Sequence, residues 1–466
     1  MKMTILRRRF AHACRLGLCA VLALAMLMPP ARAASGPGIQ ILRDAEIEDT
    51  LRVFAAPLLQ AAGLNPQTAR FVLVRDSAIN AYVAGGPNVF IHTGLLQAAT
   101  GPEQLVGVLA HEIGHISGGH LLRSGDAIRN ASIETILGLV LGVAAGVATG
   151  NGNATGAVMS GAANIAQRSF LSFSRTQESS ADAAALRFLD SAGWSARGLL
   201  TFFEKLQSQE LLPTDRQIAF VRTHPLSLDR IEAVRAHIAS SPSSINALPP
   251  DFAQRFERMK GKLLGYMQPE AALLRYGAAD PRIEARYARV QALHMRNRFD
   301  EAMTGIQDLL KAEPDNPYFH EMKAQMLLEN GKPRLAVEDY RRAVALADNS
   351  PLLRSALAHA LLESQDPALL DEAVAQLQAA LRQEPQTPSL WRLMATAWGR
   401  KSDQPAATYA LAEEALARGD AKQARRMAEA AIKQLPTGSP LRLKAQDLRE
   451  SAKELEKDAP ERPDER

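Results

Sequence analysis

Cysteine is nearly absent from this chain of 466 residues: only Cys14 and Cys19 occur, both in the first 33 residues. The remainder can form no disulfide, and any metal it holds must be bound by His and carboxylates, the donor set of catalytic rather than structural sites. Long apolar runs are also scarce. The two that stand out, Leu16 to Met28 and Ile136 to Thr149, have 13 and 14 residues, short of the ~20 needed to span a bilayer as a helix. A basic surplus is missing too. The first 33 residues carry six of the 54 Lys and Arg and no Asp or Glu, so the rest of the chain is formally −2. That balance argues against a nucleic-acid partner.

The N-terminus has the layout of an export signal. Arg7, Arg8, Arg9 and Arg15 form a basic region, Leu16 to Met28 an apolar one, and Ala31-Arg32-Ala33 a small-residue cleavage site. The expected mature N-terminus is Ala34. Cys19 lies inside the apolar run rather than at its end, which excludes a lipoprotein reading. Arg7-Arg8-Arg9-Phe10 is an incomplete twin-arginine match, so the general secretory route is favoured.

Against these absences stands His111-Glu112-Ile113-Gly114-His115. It reads H-E-x-x-H. On a helix, residues four apart share a face, so His111 and His115 can reach one metal while Glu112 serves as general base. Thr100 and Glu103 predict a capping box at the start of that helix, and Gly118-Gly119 a stop. A metzincin third ligand would sit at position 121, which is Leu; His120 misses by one residue. The better third donor is downstream in Ser174-Arg175-Thr176-Gln177-Glu178-Ser179-Ser180-Ala181-Asp182. Glu178 and Asp182 are again four apart. Glu178 is the expected ligand, and Asp182 the residue that holds the outer nitrogen of a ligand His. Between the two motifs, Ile136 to Thr149 reads as a helical hairpin, with core packing, a lid and membrane contact as three alternatives. Asn88 to Ile91, after the Gly85-Gly86-Pro87 turn, is read as an edge strand to which an unfolded chain could add.

The C-terminal half is Ala- and Leu-rich and repeats. Phe299-Asp300-Glu301-Ala302 and Pro333-Arg334-Leu335-Ala336 are 34 residues apart, as are Pro317 and Pro351. Leu370-Asp371-Glu372-Ala373 continues with three extra residues, and Asp420-Ala421-Lys422-Gln423-Ala424 is a later copy delayed by about one helix. The period resembles tetratricopeptide repeats, three or four of them, whose concave surfaces hold extended peptides or partner proteins.

H-E-I-G-H followed by S-R-x-x-E-x-x-A-D resembles the gluzincin peptidases that include the CAAX prenyl protease and the bacterial heat-shock membrane protease. The resemblance extends to residues 80–96, with Asn80-Ala81-Tyr82-Val83 and Gly94, and to Thr223-His224-Pro225 with Arg230. It implies one Zn2+ per chain on His111, His115 and Glu178. It also places His224 near the metal, as an oxyanion stabiliser or a fourth ligand, with Arg230 as an assisting cation. With the signal and the repeats, it implies a periplasmic zinc endopeptidase acting on unfolded or misfolded polypeptides, outer-membrane β-barrel proteins among them, with a barrel-assembly complex as partner. A chaperone or adaptor with a mostly plugged protease domain is the alternative. The expected fold is α+β and mainly helical: a zinc metallopeptidase domain with a small edge-strand sheet, then an all-α solenoid of tetratricopeptide repeats. The expected boundaries are signal 1–33, peptidase 34–240, linker and connecting helices 241–282, repeats 283–453 and a disordered tail 454–466.

Overall fold

A computed structural model of the chain describes residues 40–120, 175–210 and 219–458. The signal, the Ile136 to Thr149 run and the end of the tail lie outside the described residues.

The peptidase region is built on a four-stranded sheet: β1 (Gln40–Leu42), β2 (Arg70–Arg75), β3 (Ala81–Ala84) and β4 (Asn88–His92), in the order β1-β2-β4-β3. β2 runs parallel to β4, with Phe71 opposite Val89, and β3 runs antiparallel to it, with Tyr82 opposite Phe90. β4 is therefore internal. This corrects the expectation that Asn88 to Ile91 is an edge strand: the edge is β3. The reason is pairing order. β4 returns across its hairpin with β3 and continues alongside β2, a non-local choice that strand composition does not encode.

One face of the sheet is apolar at alternate positions (Phe71, Leu73, Val83, Val89, Ile91). It packs on two helices, α1 (Ala45–Ala61) through Leu51, Phe54 and Leu58, and the helix bearing the histidines through Leu105, Leu109 and Ile113. Helix α2 (Thr93–Ala98) links β4 to α3 (Pro102–Ser117). The start of α3 is not the expected Thr100–Glu103 capping box. Gly101 is the N-cap and Pro102 the first helical residue. Proline has no N–H to leave orphaned and its φ is preset for that position, so it claims the start. Gln104 then reaches back, its side-chain oxygen accepting the Thr100 N–H at 3.0 Å. After α3 come α4 (Arg175–Ser191), α5 (Arg197–Glu210), α6 (Ala219–Thr223) and α7 (Leu228–Ser240).

The expected boundary near residue 240 is a break in the helices but not in the packing. Helix α8 (Pro250–Met267) inserts Phe252, Phe256, Met259 and Leu263 into the peptidase core, and Phe252 stacks on Phe54 at 4.3 Å. After α9 (Pro269–Arg275), the repeats are the helix pairs α10 (Ile283–Met295) with α11 (Phe299–Ala312), α12 (Pro317–Glu329) with α13 (Pro333–Leu346), and α14 (Pro351–Glu363) with α15 (Leu370–Gln383). The turn inside each pair carries one residue of positive φ: Asn297, Gly331 and Gln365. α16 (Pro388–Arg400) pairs with α17 (Gln404–Ala417) across a turn with Ser402 at positive φ, and α18 (Ala421–Gln434) and α19 (Pro440–Asp458) follow. Helix α19 continues through Glu454 to Asp458, so the tail expected to be disordered from residue 454 begins as helix.

The repeats close on the start of the peptidase region. The Tyr287 hydroxyl donates to Glu46 at 2.8 Å, Tyr318 to Asp49 at 2.8 Å, and Arg43 pairs with Glu384 at 2.6 Å. Among the described residues, no helix is long and apolar enough to cross a membrane.

Candidate metal centre

The site forms where α3 meets α4. Gly114, inside the H-E-x-x-H motif, sets the approach: a Cβ there would lie 2.5 Å from the Ala181 carbonyl oxygen. With no side chain in the way, α4 comes close enough that Glu178 and Asp182, one turn apart around Ala181, both face the histidines. His111, Glu112, His115, Glu178 and His224 are fully buried.

His111 Nε2 lies 3.1 Å from His115 Nε2 and 3.3 Å from Glu178 Oε2, and His115 Nε2 is 3.2 Å from Glu178 Oε1. His224 joins them: its Nδ1 is 3.3 Å from His111 Nε2 and 3.1 Å from Glu178 Oε1. These separations match the edge of a tetrahedron of donors ~2.0 Å from a central ion, roughly 3.3 Å. Two ring nitrogens and a carboxylate crowded this closely lack enough protons to satisfy one another, so the set fits a divalent cation. His111, His115, Glu178 and His224 each offer one ligand atom, all within 4.8 Å of one another.

The surroundings prepare these donors. Asp182 Oδ1 accepts from His111 Nδ1–H at 2.8 Å, leaving the Nε2 lone pair turned inward. Arg230 does not reach into the open side of the site, as an oxyanion partner would. Its guanidinium forks onto Asp182 (2.6 and 2.9 Å), touches Glu178 Oε2 at 2.9 Å, donates to the Pro225 carbonyl at 2.7 Å and lies over the Phe203 ring. The planar fork matches a carboxylate edge, and that pairing fixes it behind the ligands.

Charge follows geometry. Burial alone would push the Glu178 carboxyl up, but His224 and His111 hold it well below the usual range. Burial likewise opposes ionisation of Asp182, and Arg230 and His111 outweigh it. Burial would also lower His111, yet Glu178 and Asp182 raise it to about 10. His115 goes the other way, to about 3, through burial first and the neighbouring His111 and His224 after it. Glu112 is pushed up by burial; its Oε1 lies 3.5 Å from His224 Nε2, and among the described residues neither of its oxygens has a hydrogen-bond partner. A buried carboxylate left without a hydrogen-bond donor beside a cluster of metal ligands suits a proton acceptor.

His224 is placed by α6 and its loop. Its backbone N–H donates to Phe220 O at 2.8 Å, and its ring stacks on Phe220. Its Nε2–H donates to the Ala81 carbonyl on β3 at 3.0 Å, which leaves Nδ1 as the donor facing the centre. Sequence reasoning passed over two participants. Ala81 was invisible because strand order was. His120, set aside as out of register, lies with its Nδ1 2.9 Å from His115 Nδ1; the signal for it was the Gly118-Gly119 pair before it.

The profile of peptidase family M48 matches residues 42–238, and a tetratricopeptide-repeat profile matches residues 279–409. The chain is 26% identical over 335 residues to the beta-barrel assembly-enhancing protease of Yersinia pestis, covering 70% of this chain and 67% of that one. It is 28% identical over 373 residues to the protein of that name in Escherichia coli K12, covering 79% and 75%. Metalloprotease YcaL of the same organism is 30% identical over 187 residues, covering 40% of this chain and 69% of YcaL. With these relatives and a buried His/Glu donor cluster where the family profile matches, the chain belongs to peptidase family M48 and is a metallopeptidase that carries tetratricopeptide repeats.

Proposed function

We propose that the chain is a periplasmic zinc endopeptidase, exported by its N-terminal signal, that degrades misfolded or stalled outer-membrane β-barrel proteins recruited through its repeats. The observation that carries the catalytic part is the tetrahedral spacing of His111, His115, Glu178 and His224. A His and carboxylate set without cysteine favours one catalytic Zn2+, which when bound supplies Lewis-acid activation of water and of the scissile carbonyl. Glu112 takes the proton of the attacking water and returns it to the leaving amine. Asp182 and Arg230 hold His111 and Glu178 in place. The relatives' printed name supports β-barrel substrates and an assembly complex as partner.

The edge strand β3 is the surface on which a substrate main chain would align. His92 N–H donates to Asn80 O, so Asn80 and Tyr82 pair toward β4 while Ala81 and Val83 turn their backbone groups outward. An added strand would meet the Val83 groups and the Ala81 N–H, the Ala81 carbonyl already accepting from His224.

His224 favours the fourth-ligand role over the oxyanion role, because its Nδ1 already completes the donor set. At rest it would fill the position that water needs, and movement of its loop would open it. This also keeps a second reading alive, that the chain works mainly as a chaperone or adaptor with its protease plugged. Two variants test the function. Glu112→Gln should retain zinc and lose cleavage of unfolded casein; if it still restores outer-membrane protein assembly in a null strain, the chaperone reading prevails. His224→Ala should raise basal proteolysis with zinc retained. A loss of roughly 10²–10³ in turnover would instead assign it to the oxyanion.

A further inference from the structure

We infer that His120 is the positioning residue of His115, doing for the second histidine what Asp182 does for the first, and that Gly118 and Gly119 exist to put it there. The inference rests on the metal-site reading above.

The backbone makes the case first. Helix α3 ends with Gly118 as C-cap. Gly119 is left-handed, with φ of 64°. Its N–H donates to Ile116 O at 3.1 Å, and the His120 N–H donates to His115 O at 3.2 Å. These are the two bonds of a Schellman motif, which folds the residue after the left-handed glycine back over the residue five before it. Here that earlier residue is a metal-ligand candidate. The side chain follows: His120 Nδ1 comes to 2.9 Å from His115 Nδ1, with the rings inclined at 68° and their centroids 5.0 Å apart. Gly118 clears the space. A Cβ on it would lie 2.7 Å from His120 Nε2 and 2.8 Å from Cε1.

The chemistry is then determined. His115 turns Nε2 toward His111 and Glu178, so its proton is on Nδ1. His120 must accept that proton's hydrogen bond through Nδ1 and carry its own on Nε2, as a neutral ring. An imidazole suits the position better than a second Asp182 would. Among the described residues, the buried centre already holds the carboxylates of Glu112, Glu178 and Asp182 against the guanidinium of Arg230. A divalent cation balances that set, and a further carboxylate would unbalance it.

The test is the Zn2+ affinity of the full chain, by competition with a chromogenic chelator, beside the melting temperature of the metal-free chain. His120→Ala should weaken Zn2+ binding ~10–100-fold. His120→Asn, whose Oδ1 stands where the ring Nδ1 stood, should bind close to wild type. Gly118→Ala, which pushes the ring away, should weaken binding in the same direction as His120→Ala. The absorption bands of the Co2+-loaded protein should shift in His120→Ala and be restored in His120→Asn. The metal-free melting temperature should be the same in all. Unchanged affinity in His120→Ala, or His120→Asn as weak as His120→Ala, overturns the inference. So does a metal-free melting temperature that falls in step with affinity, since the residue would then only cap the helix. A wild-type chain that binds no Zn2+ overturns the metal reading itself; wild-type binding with His120→Ala unaffected overturns this inference alone.

Discussion

Two of the buried charge clusters among the described residues are built oppositely. Between the peptidase region and the repeats, Lys262 Nζ meets Asp44 at 2.8 Å and Glu46 at 3.4 Å, and Tyr287 donates to Glu46 at 2.8 Å. Here donors meet acceptors, and Lys262, Asp44, Glu46 and Tyr287 pair with one another. Burial opposes the charge on Lys262, but Asp44 and its other neighbours hold its pKa well above the ordinary value. At the metal centre, nitrogens of three imidazoles and a carboxylate oxygen lie within 4.8 Å of one another, and among the described residues neither oxygen of Glu112 has a hydrogen-bond partner. A closed network supports architecture. An open one is incomplete without a ligand, and its location marks function.

The contrast can be broken from either side. The largest effect belongs to the centre. His111→Ala or His115→Ala should abolish stoichiometric zinc by metal analysis of the purified protein, because the donors left cannot hold it well. Full retention in both variants would refute the site. At the closed network, Lys262→Met should leave the zinc content alone but destabilise the fold by ~3–5 kcal/mol in denaturant unfolding, since Asp44 and Glu46 would lose their buried cation. An unchanged midpoint would mean that the network is hydrated, not closed.

Arg230→Lys sharpens the comparison, because Arg230 belongs to both kinds: it is a structural cation closing the back of the open site. Lysine keeps the charge and loses the fork. Zinc affinity should fall ~10-fold; wild-type affinity would show that charge alone suffices. The smallest effect is at Glu321, near Lys262, with one carboxylate oxygen buried and without a hydrogen-bond partner among the described residues. Its carboxyl is pushed up to about 8, by burial first and then, against the pull of Lys262, by Asp44, Glu46 and Glu48. A carboxyl whose folded pKa exceeds its ordinary 4.5 costs nothing below that pH; its cost grows as pH rises and is complete near 8. Glu321→Gln should therefore be neutral at pH 4.5 and stabilise by ~1–2 kcal/mol at pH 8, less than the full shift implies because the residue keeps partial contact with solvent. Equal melting temperatures for the two proteins at pH 8 would count against it.

Much of this was legible locally. The i and i+4 spacings of His111 with His115 and of Glu178 with Asp182 predicted which side chains share a face, and the structure brings the two faces together. The 34-residue period located the repeats. The misses share one cause. Thr100 and Glu103 matched a capping pattern, but Pro102 competed for the same turn and won on backbone grounds. Arg230 was read as a fixed cation assisting near the metal, and its pairing with Asp182 went unread because that partner is 48 residues away. β4 was read as an edge because nothing in a strand's own residues says who its neighbours are.

By itself, then, the sequence determined helix periods, the kinds of donor available and their spacing along each helix, because these depend on neighbours within a few residues. The tertiary structure alone decided that Gly114 admits α4 to the histidines, that β3 and not β4 is the edge, that His224 completes the donor set, and that His120 folds back onto His115. Each of these is a contact between backbone surfaces whose positions are set by packing across the whole domain, and no local pattern contains it.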